Sequence, residues 1–179
     1  MSESRGLKRP HFFSGKLITS ADLELEQQYF REKLKRHNRS LHGFGIVSGL
    51  KVTVNSGQII VEPGLALDCE GNELAIEASQ TIVSQPGDDW RTAFVNVRYM
   101  EDGAGQTPAP GTTEVSTVSS TLIESFELLV AQENCNRRHR HLRARWLACG
   151  LPHALTIAKL LHGSHGWRVD RAYRAPQLK

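Results

Sequence analysis

The feature that most constrains this chain is a change of apolar period at residues 37–50, which read HNRSLHGFGIVSGL. Before it, apolar residues recur at helical spacing. After it, they alternate as they do in strands. So abrupt a switch predicts one helix followed by a β domain. The helix has a clear beginning, because Thr19-x-x-Asp22 has the form of a capping box. At about 100° per residue, Leu23, Phe30, Leu34 and Leu41 fall within roughly 20° of one line. His37 and Gln27 flank that line on opposite sides. Asp22, Glu24 and Glu26 come early, and Lys33, Lys35, Arg36 and Arg39 come late, the order the helix dipole favours. Gly43 then stops the helix, and Gly45 and Gly49 let the chain turn into the first strand. The apolar line is expected to lie buried on the sheet. His37 and Asn38, beside it, are expected to hydrogen-bond at the helix–sheet junction. On that reading His37→Ala or Gly49→Val costs stability or assembly before any chemistry.

The second half of the pattern is a series of short strands. Leu50, Val52 and Val54 alternate with Lys51 and Thr53, and turns follow at Asn55-Ser56-Gly57, Pro63-Gly64 and Cys69-Glu70-Gly71-Asn72. Between and after them come Ile59–Val61, Leu65–Leu67, Leu74–Ile76, Thr81–Val83 and Ala93–Tyr99. This spacing indicates antiparallel β structure. Residues 101–120 are rich in Gly, Pro, Thr and Ser, and the composition predicts a surface loop there. Leu122–Val130 fits a strand or a short helix, and 155–171 fit a closing hairpin. The fold class is therefore α+β, mainly β: one long N-terminal helix packed on an antiparallel sandwich or barrel-like domain. Residues 1–18 form an irregular arm, 19–100 the helix plus β unit, 101–120 the loop, and 121–179 the remaining strands, a basic segment and the hairpin of the same domain. No internal repeat is visible.

Reactive chemistry finds little footing. Gly43-x-Gly45-x-x-x-Gly49 runs from helix to strand, the reverse of the order that aims amides at a phosphate. Ser40, His42 and Asp68 could form a triad only with a strained nucleophile turn and an oxyanion hole, and neither is signalled. Three cysteines, Cys69, Cys135 and Cys149, are too few and too odd for a disulfide framework. Cys135, His139, His141, Cys149 and His153 offer enough donors for a tetrahedral zinc site, though not at the spacing of a standard finger. No cofactor is otherwise implied. Charge is uneven: residues 1–90 carry ten Lys/Arg against twelve Asp/Glu, or −2, whereas residues 134–179 carry ten against one, or +9. Arg137, Arg138, Arg140, Arg143 and Arg145 form a basic patch. It suits an acidic protein neighbour better than nucleic acid, since no nucleic-acid module or aromatic interleaving accompanies it. Neither a membrane-spanning run nor a secretory signal is present.

The arm and helix, RPHFFSGKLITSADLELEQQYF at residues 9–30, continue into HNRSLHGFGIVSGLKV at 37–52. Together they resemble baseplate and fibre-associated proteins of contractile phage-tail-like particles. The positions that carry the likeness are Phe13, Gly15, Gln27, Tyr29, His37, Asn38, His42, Gly43, Gly45, Gly49 and Leu50. Residues 58–74 add Pro63, Gly64, Asp68 and Gly71, and resemble a β unit recurrent in tail-fibre and baseplate proteins. A looser likeness joins the helix and sheet to the shoulder or shell domains of siphophage receptor-binding proteins and the type VI secretion baseplate adaptor. The resemblance implies a non-enzymatic structural part with baseplate, spike or fibre proteins as partners. It implies a homo-oligomer, assembled in the cytoplasm into the particle. The sequence stops at Lys179 without a long shaft or lectin-like tip, so a whole receptor-binding fibre is not expected. The rival reading is an accessory protein that binds zinc or nucleic acid through residues 135–153.

Overall fold

The helix, α1, spans Ser20–His37 and starts where the capping box places it. The computed structural model describes residues 6–83, 85–87, 89–108, 117–138 and 154–178. Thr19 Oγ1 accepts the Asp22 amide at 3.3 Å, and the Asp22 carboxylate accepts the Thr19 amide at 3.1 Å. Lys16 Nζ donates to the same carboxylate at 2.6 Å. That ammonium, with Thr19, lowers the Asp22 carboxyl to about 2. A carboxyl depressed in the folded state stabilises it at pH values above the ordinary 3.8. The stabilisation is lost as pH falls through about 2. The Thr19 and Asp22 amide resonances should therefore hold steady on acidification to about pH 4 and move only below it. A midpoint at an unperturbed carboxyl value would refute the box.

The helix does not stop cleanly. Asn38–His42 form one π-turn, closed by the Gly43 amide on Asn38 O at 3.0 Å. Gly43, at φ +87°, then breaks the run. Among the described residues, ten strands follow: β1 Gly45–Gly49, β2 Val52–Asn55, β3 Gln58–Val61, β4 Gly64–Leu67, β5 Glu73–Ile76, β6 Gln80–Ile82, β7 Thr92–Pro108, β8 Thr117–Ala131, β9 Leu155–Gly163 and β10 Gly166–Val169. A short 3-10 turn, Cys135–Arg138, precedes β9. The strands make three antiparallel sheets, in the orders β1-β4-β5, β2-β3-β6 and β10-β9-β7-β8. β10 comes alongside β2, and β5 alongside β7 and β8, so the sheets curl into an incomplete barrel. Alternation decides which side chains face inward. In β5, Leu74 and Ile76 are buried while Glu73 and Ala75 are exposed. Ile59, Val61, Leu74, Ile76, Val95, Val97, Leu155 and Leu160 form the centre of one core shared by all three sheets.

Two expectations need correction. Of the loop read at 101–120, residues 101–108 and 117–120 are strand, and 109–116 lie outside the described residues. β7 and β8 make a ribbon whose register runs from Phe94↔Ala131 to Pro108↔Thr117. Composition misled because Gly and Pro weaken a strand less where only one neighbour needs pairing. Beyond Val97, among the described residues, β7 pairs with β8 alone. The Thr-, Ser- and Val-rich run 117–121 also has high β propensity.

The second correction concerns the apolar line of α1. No residue of α1 is buried. Leu23 is 54% exposed, Phe30 58% and Leu34 53%, and Leu41 in the π-turn is 65% exposed. The helix meets the ribbon with its polar side instead. Arg31 pairs with Glu101 at 3.6 Å, and the Lys35 ammonium stands over the Tyr99 ring at 5.8 Å. Tyr99 in turn donates to Glu101 at 2.9 Å. Burial, then Glu101, pushes its phenol well above the ordinary range. Among the described residues, no helix is long and apolar enough to cross a membrane.

Candidate functional site: the helix–sheet junction

The junction is built on the β4–β5 turn. The buried Asp68 carboxylate accepts the amides of Glu70 at 2.8 Å and Asn72 at 2.9 Å, and the Asn72 side-chain amide at 2.7 Å. This fixes a tight Asx-type turn and aims the carbonyls of Glu70 and Gly71 at the helix end. Asn38 Nδ2 donates to Gly71 O at 3.0 Å, and the Arg39 guanidinium donates to Glu70 O. Gly71 adopts φ +89°, and a Cβ there would stand 2.2 Å from Lys35 O. Only glycine allows the helix to settle on this turn. Burial, and next the Asp68 charge, raises the Glu70 carboxyl. Arg39 Nε and Asn72 Oδ1 are buried without a partner among the described residues.

A second close approach lies one strand away. Gly49, at φ +64°, would place a Cβ 2.1 Å from Pro63 O. Gly64 would reciprocate, 2.4 Å from both Leu50 N and Ser48 O. The Leu50 amide donates to Pro63 O at 3.1 Å across this crossing, and Leu50 itself is buried. Gly49 ends β1 where the chain leaves one sheet for β2 in another, and Gly64 opens β4 where it returns from β3. Gly45 faces a third approach: the segment at 176–178 lies parallel to β1, with the Ile46 amide on Pro176 O and the Leu178 amide on Ile46 O, both 2.8 Å. A Cβ at Gly45 would stand 2.8 Å from Pro176 O.

The motif positions thus divide. Asn38, Asp68 and Gly71 meet at the junction, Gly49, Leu50, Pro63 and Gly64 meet at the crossing at the other end of β1 and β4, and Gly45 meets the segment at 176–178. Phe13, Gly15, Gln27 and Tyr29 join none of these. Phe13 is exposed beside His11, and Gly15 sits in a turn at φ +88°. Gln27 is exposed on α1, and Tyr29 is flanked by the cations of Lys33 at 5.6 Å and Arg9 at 6.0 Å. His37 requires correction: it is exposed, with its ring against that of His42 at 5.5 Å, and of these two neighbours only Asn38 makes a junction bond. His37→Ala is therefore expected to change stability by less than about 0.5 kcal/mol. Asn38→Ala is expected to cost about 1–2 kcal/mol, since it leaves a buried carbonyl without its donor. Urea unfolding of both variants checks the order; equal losses would contradict the geometry.

The other sequence candidates fare differently. Ser40 and His42 sit exposed in the π-turn, and the Asp68 carboxylate is engaged by its own turn. Cys135, Arg137 and Arg138 lie in the 3-10 turn, whereas His139, Arg140, His141, Arg143, Arg145, Cys149 and His153 fall outside the described residues. Among the described residues, no three His, Cys, Asp or Glu side chains gather as a metal site.

Sequence reading missed a buried polar network between β7 and β9. Thr156 Oγ1 donates to Asn96 Oδ1 at 2.6 Å and accepts the Cys135 amide at 2.9 Å. Asn136 accepts the Thr156 amide at 2.9 Å and donates to Thr156 O at 2.8 Å and to the Tyr173 hydroxyl at 3.1 Å. The β7–β9 register shifts beside it, between Val95 and Asn96. One signal was present: an asparagine between Val95 and Val97 in an apolar strand needs a partner.

No protein-family model and no curated relative matches the sequence. Solved structures do share its architecture. The crystal structure of TssK superposes with a TM-score of 0.56 at 12% identity, over 96% of this chain and 42% of that one. A chain of the type VI secretion system TssK-TssF-TssG baseplate subcomplex gives 0.55 at 10% identity, over 96% of this chain and 62% of that one. The protein accordingly shares an α+β, mainly β fold with part of each of these chains. It spans less than two thirds of either matched chain.

Proposed function

We propose that this protein is a non-enzymatic structural component of a contractile particle, either a phage-tail-like device or a secretion baseplate. It would be held there by contacts with other baseplate, spike or fibre proteins. The observation that carries the reading is the fold correspondence over 96% of the chain with baseplate structures, one of them a three-component subcomplex. The chemistry of the junction supports it. Asp68, Asn38 and Arg39 direct their polar atoms to backbone groups of the same chain, which is how an architectural joint is built. The exposed helix supports it as well, because an apolar row in water is an interaction surface in waiting. The basic segment, including Arg137, Arg138, Arg140, Arg143 and Arg145, would face an acidic neighbour. The protein would be assembled in the cytoplasm and end as part of the particle.

Mass spectrometry of purified sheathed particles tests this. The expected result is the protein at fixed stoichiometry to tube and sheath, and defective particles when its gene is deleted. Intact particles that lack the protein, with normal assembly after deletion, would overturn the reading.

A further inference from the structure

We propose that His37 and His42 form a two-histidine site for a divalent transition-metal ion on the exposed side of the π-turn. Neither side chain takes part in the junction. Asn38 and Arg39 make its bonds, and they lie between the two histidines in the chain. Backbone geometry brings the imidazoles together. At about 100° per residue, side chains five apart on an α-helix point about 140° away from each other. A π-turn closes its hydrogen-bonded ring from residue i to residue i+5, so side chains five apart come to lie on one side. Asn38–His42 form such a turn, and the rings of His37 and His42 stand 5.5 Å apart, centroid to centroid. Both residues are exposed.

That separation suits one shared ion. A metal–nitrogen bond of about 2.1 Å, with about 1.2 Å more to the ring centre, puts each centroid about 3.3 Å from the ion. At a tetrahedral angle the two centroids then lie about 5.4 Å apart. The rings are inclined at 62°, and a small turn about the soft terminal torsion of each exposed side chain lets one nitrogen of each converge. Room is available beside them, because a Cβ at Gly43 would meet nothing within 4 Å. Three nearby cations are directed elsewhere: Lys33 toward Tyr29, Lys35 over Tyr99 and Arg39 onto Glu70 O. Arg36 is exposed, and its charge holds the affinity to a moderate level. Neutral imidazole is a ligand for zinc, nickel and copper, whereas magnesium and calcium take oxygen donors. Two histidines fill two positions and leave the others to water. A bound ion would close a short ring around Asn38 and Arg39. It would thereby hold the residues that seat the helix on the β4–β5 turn.

Nickel chloride titrated into the full, untagged chain at about pH 8, where an ordinary imidazole is neutral, provides the test. Calorimetry should show a binding phase of one ion per chain that needs both histidines. His37→Ala and His42→Ala should each weaken that phase at least about tenfold, with unchanged circular dichroism spectra because both side chains are exposed. The double variant should be no worse than either single one, since losing one donor already dismantles the site. Paramagnetic nickel should broaden the amide resonances of residues 36–44 before any others. At about a hundred times its dissociation constant, nickel should raise the thermal midpoint by about 5 °C, and the rise should vanish in both single variants. An absence of binding would overturn the proposal. So would a nickel response that survives in both single variants, losses from the two that simply add, or broadening centred on Cys135 instead of the π-turn.

Discussion

Gly49→Val is expected to leave little folded protein at ambient temperature. The new side chain is penalised twice. Its backbone sits at φ +64°, a region that costs a β-branched residue about 1–3 kcal/mol. Its Cβ would also fall 2.1 Å from the Pro63 carbonyl oxygen, so two backbones must move apart. Overpacking of that kind adds about 1–3 kcal/mol, and the displaced strand carries Gly64, whose own close contacts oppose the shift. The sum, about 3–5 kcal/mol, is a large part of the 5–15 kcal/mol of an ordinary domain. At roughly 2–4 °C per kcal/mol for a chain of this size, the thermal midpoint should fall by about 10 °C or more. Gly64→Ala should fall in the same direction, since it meets the same crossing from the other strand. Wild-type midpoints in both would show that the crossing is not where the fold is constrained.

Thr156→Val is expected to be nearly as damaging, although the two side chains have almost the same shape. Thr156 is completely buried. Its hydroxyl donates to Asn96 Oδ1 and accepts the Cys135 amide, and a methyl group does neither. A buried acceptor deprived of its donor costs about 1–3 kcal/mol, and here one change affects two groups. A loss of about 3 kcal/mol follows, read from the urea midpoint at unchanged slope. Thr156→Ser keeps the hydroxyl and should recover most of it. If valine and serine behaved alike, the hydroxyl would have no part in stability.

These two sites differ in how far the sequence disclosed them. Gly49 was visible, because it ends an apolar run beside a second glycine-bearing turn and can be tested as a backbone position. The capping box, the halt at Gly43 and most of the short strands were visible for the same reason: they depend on near neighbours. The closing hairpin, Leu155–Gly163 paired with Gly166–Val169, belongs to this group. Thr156 was not visible, because its partners Asn96 and Asn136 lie far away in the chain and meet only through a register shift. The exposed row on α1 failed in another way. Periodicity reports that a helix has an apolar face, not whether that face turns inward. The ribbon was missed because composition stood in for pairing. His37 and Asn38 are neighbours flanking the same row, yet only Asn38 points at Gly71, and only geometry could separate them.

The segment at 176–178 beside β1 bears on how the molecule is made. Ile46 bonds with Pro176 and Leu178, across most of the chain's length. Contacts between residues so far apart in sequence form late, because a long loop must close before they repay its entropy. A ribosome would have finished the helix and β1 long before it delivered Pro176. Until then the edge of β1 stands open beside the junction, ready to pair with a stray strand. The segment at 176–178 would thus act as a latch. Nascent chains that have not yet delivered this segment would be the aggregation-prone species.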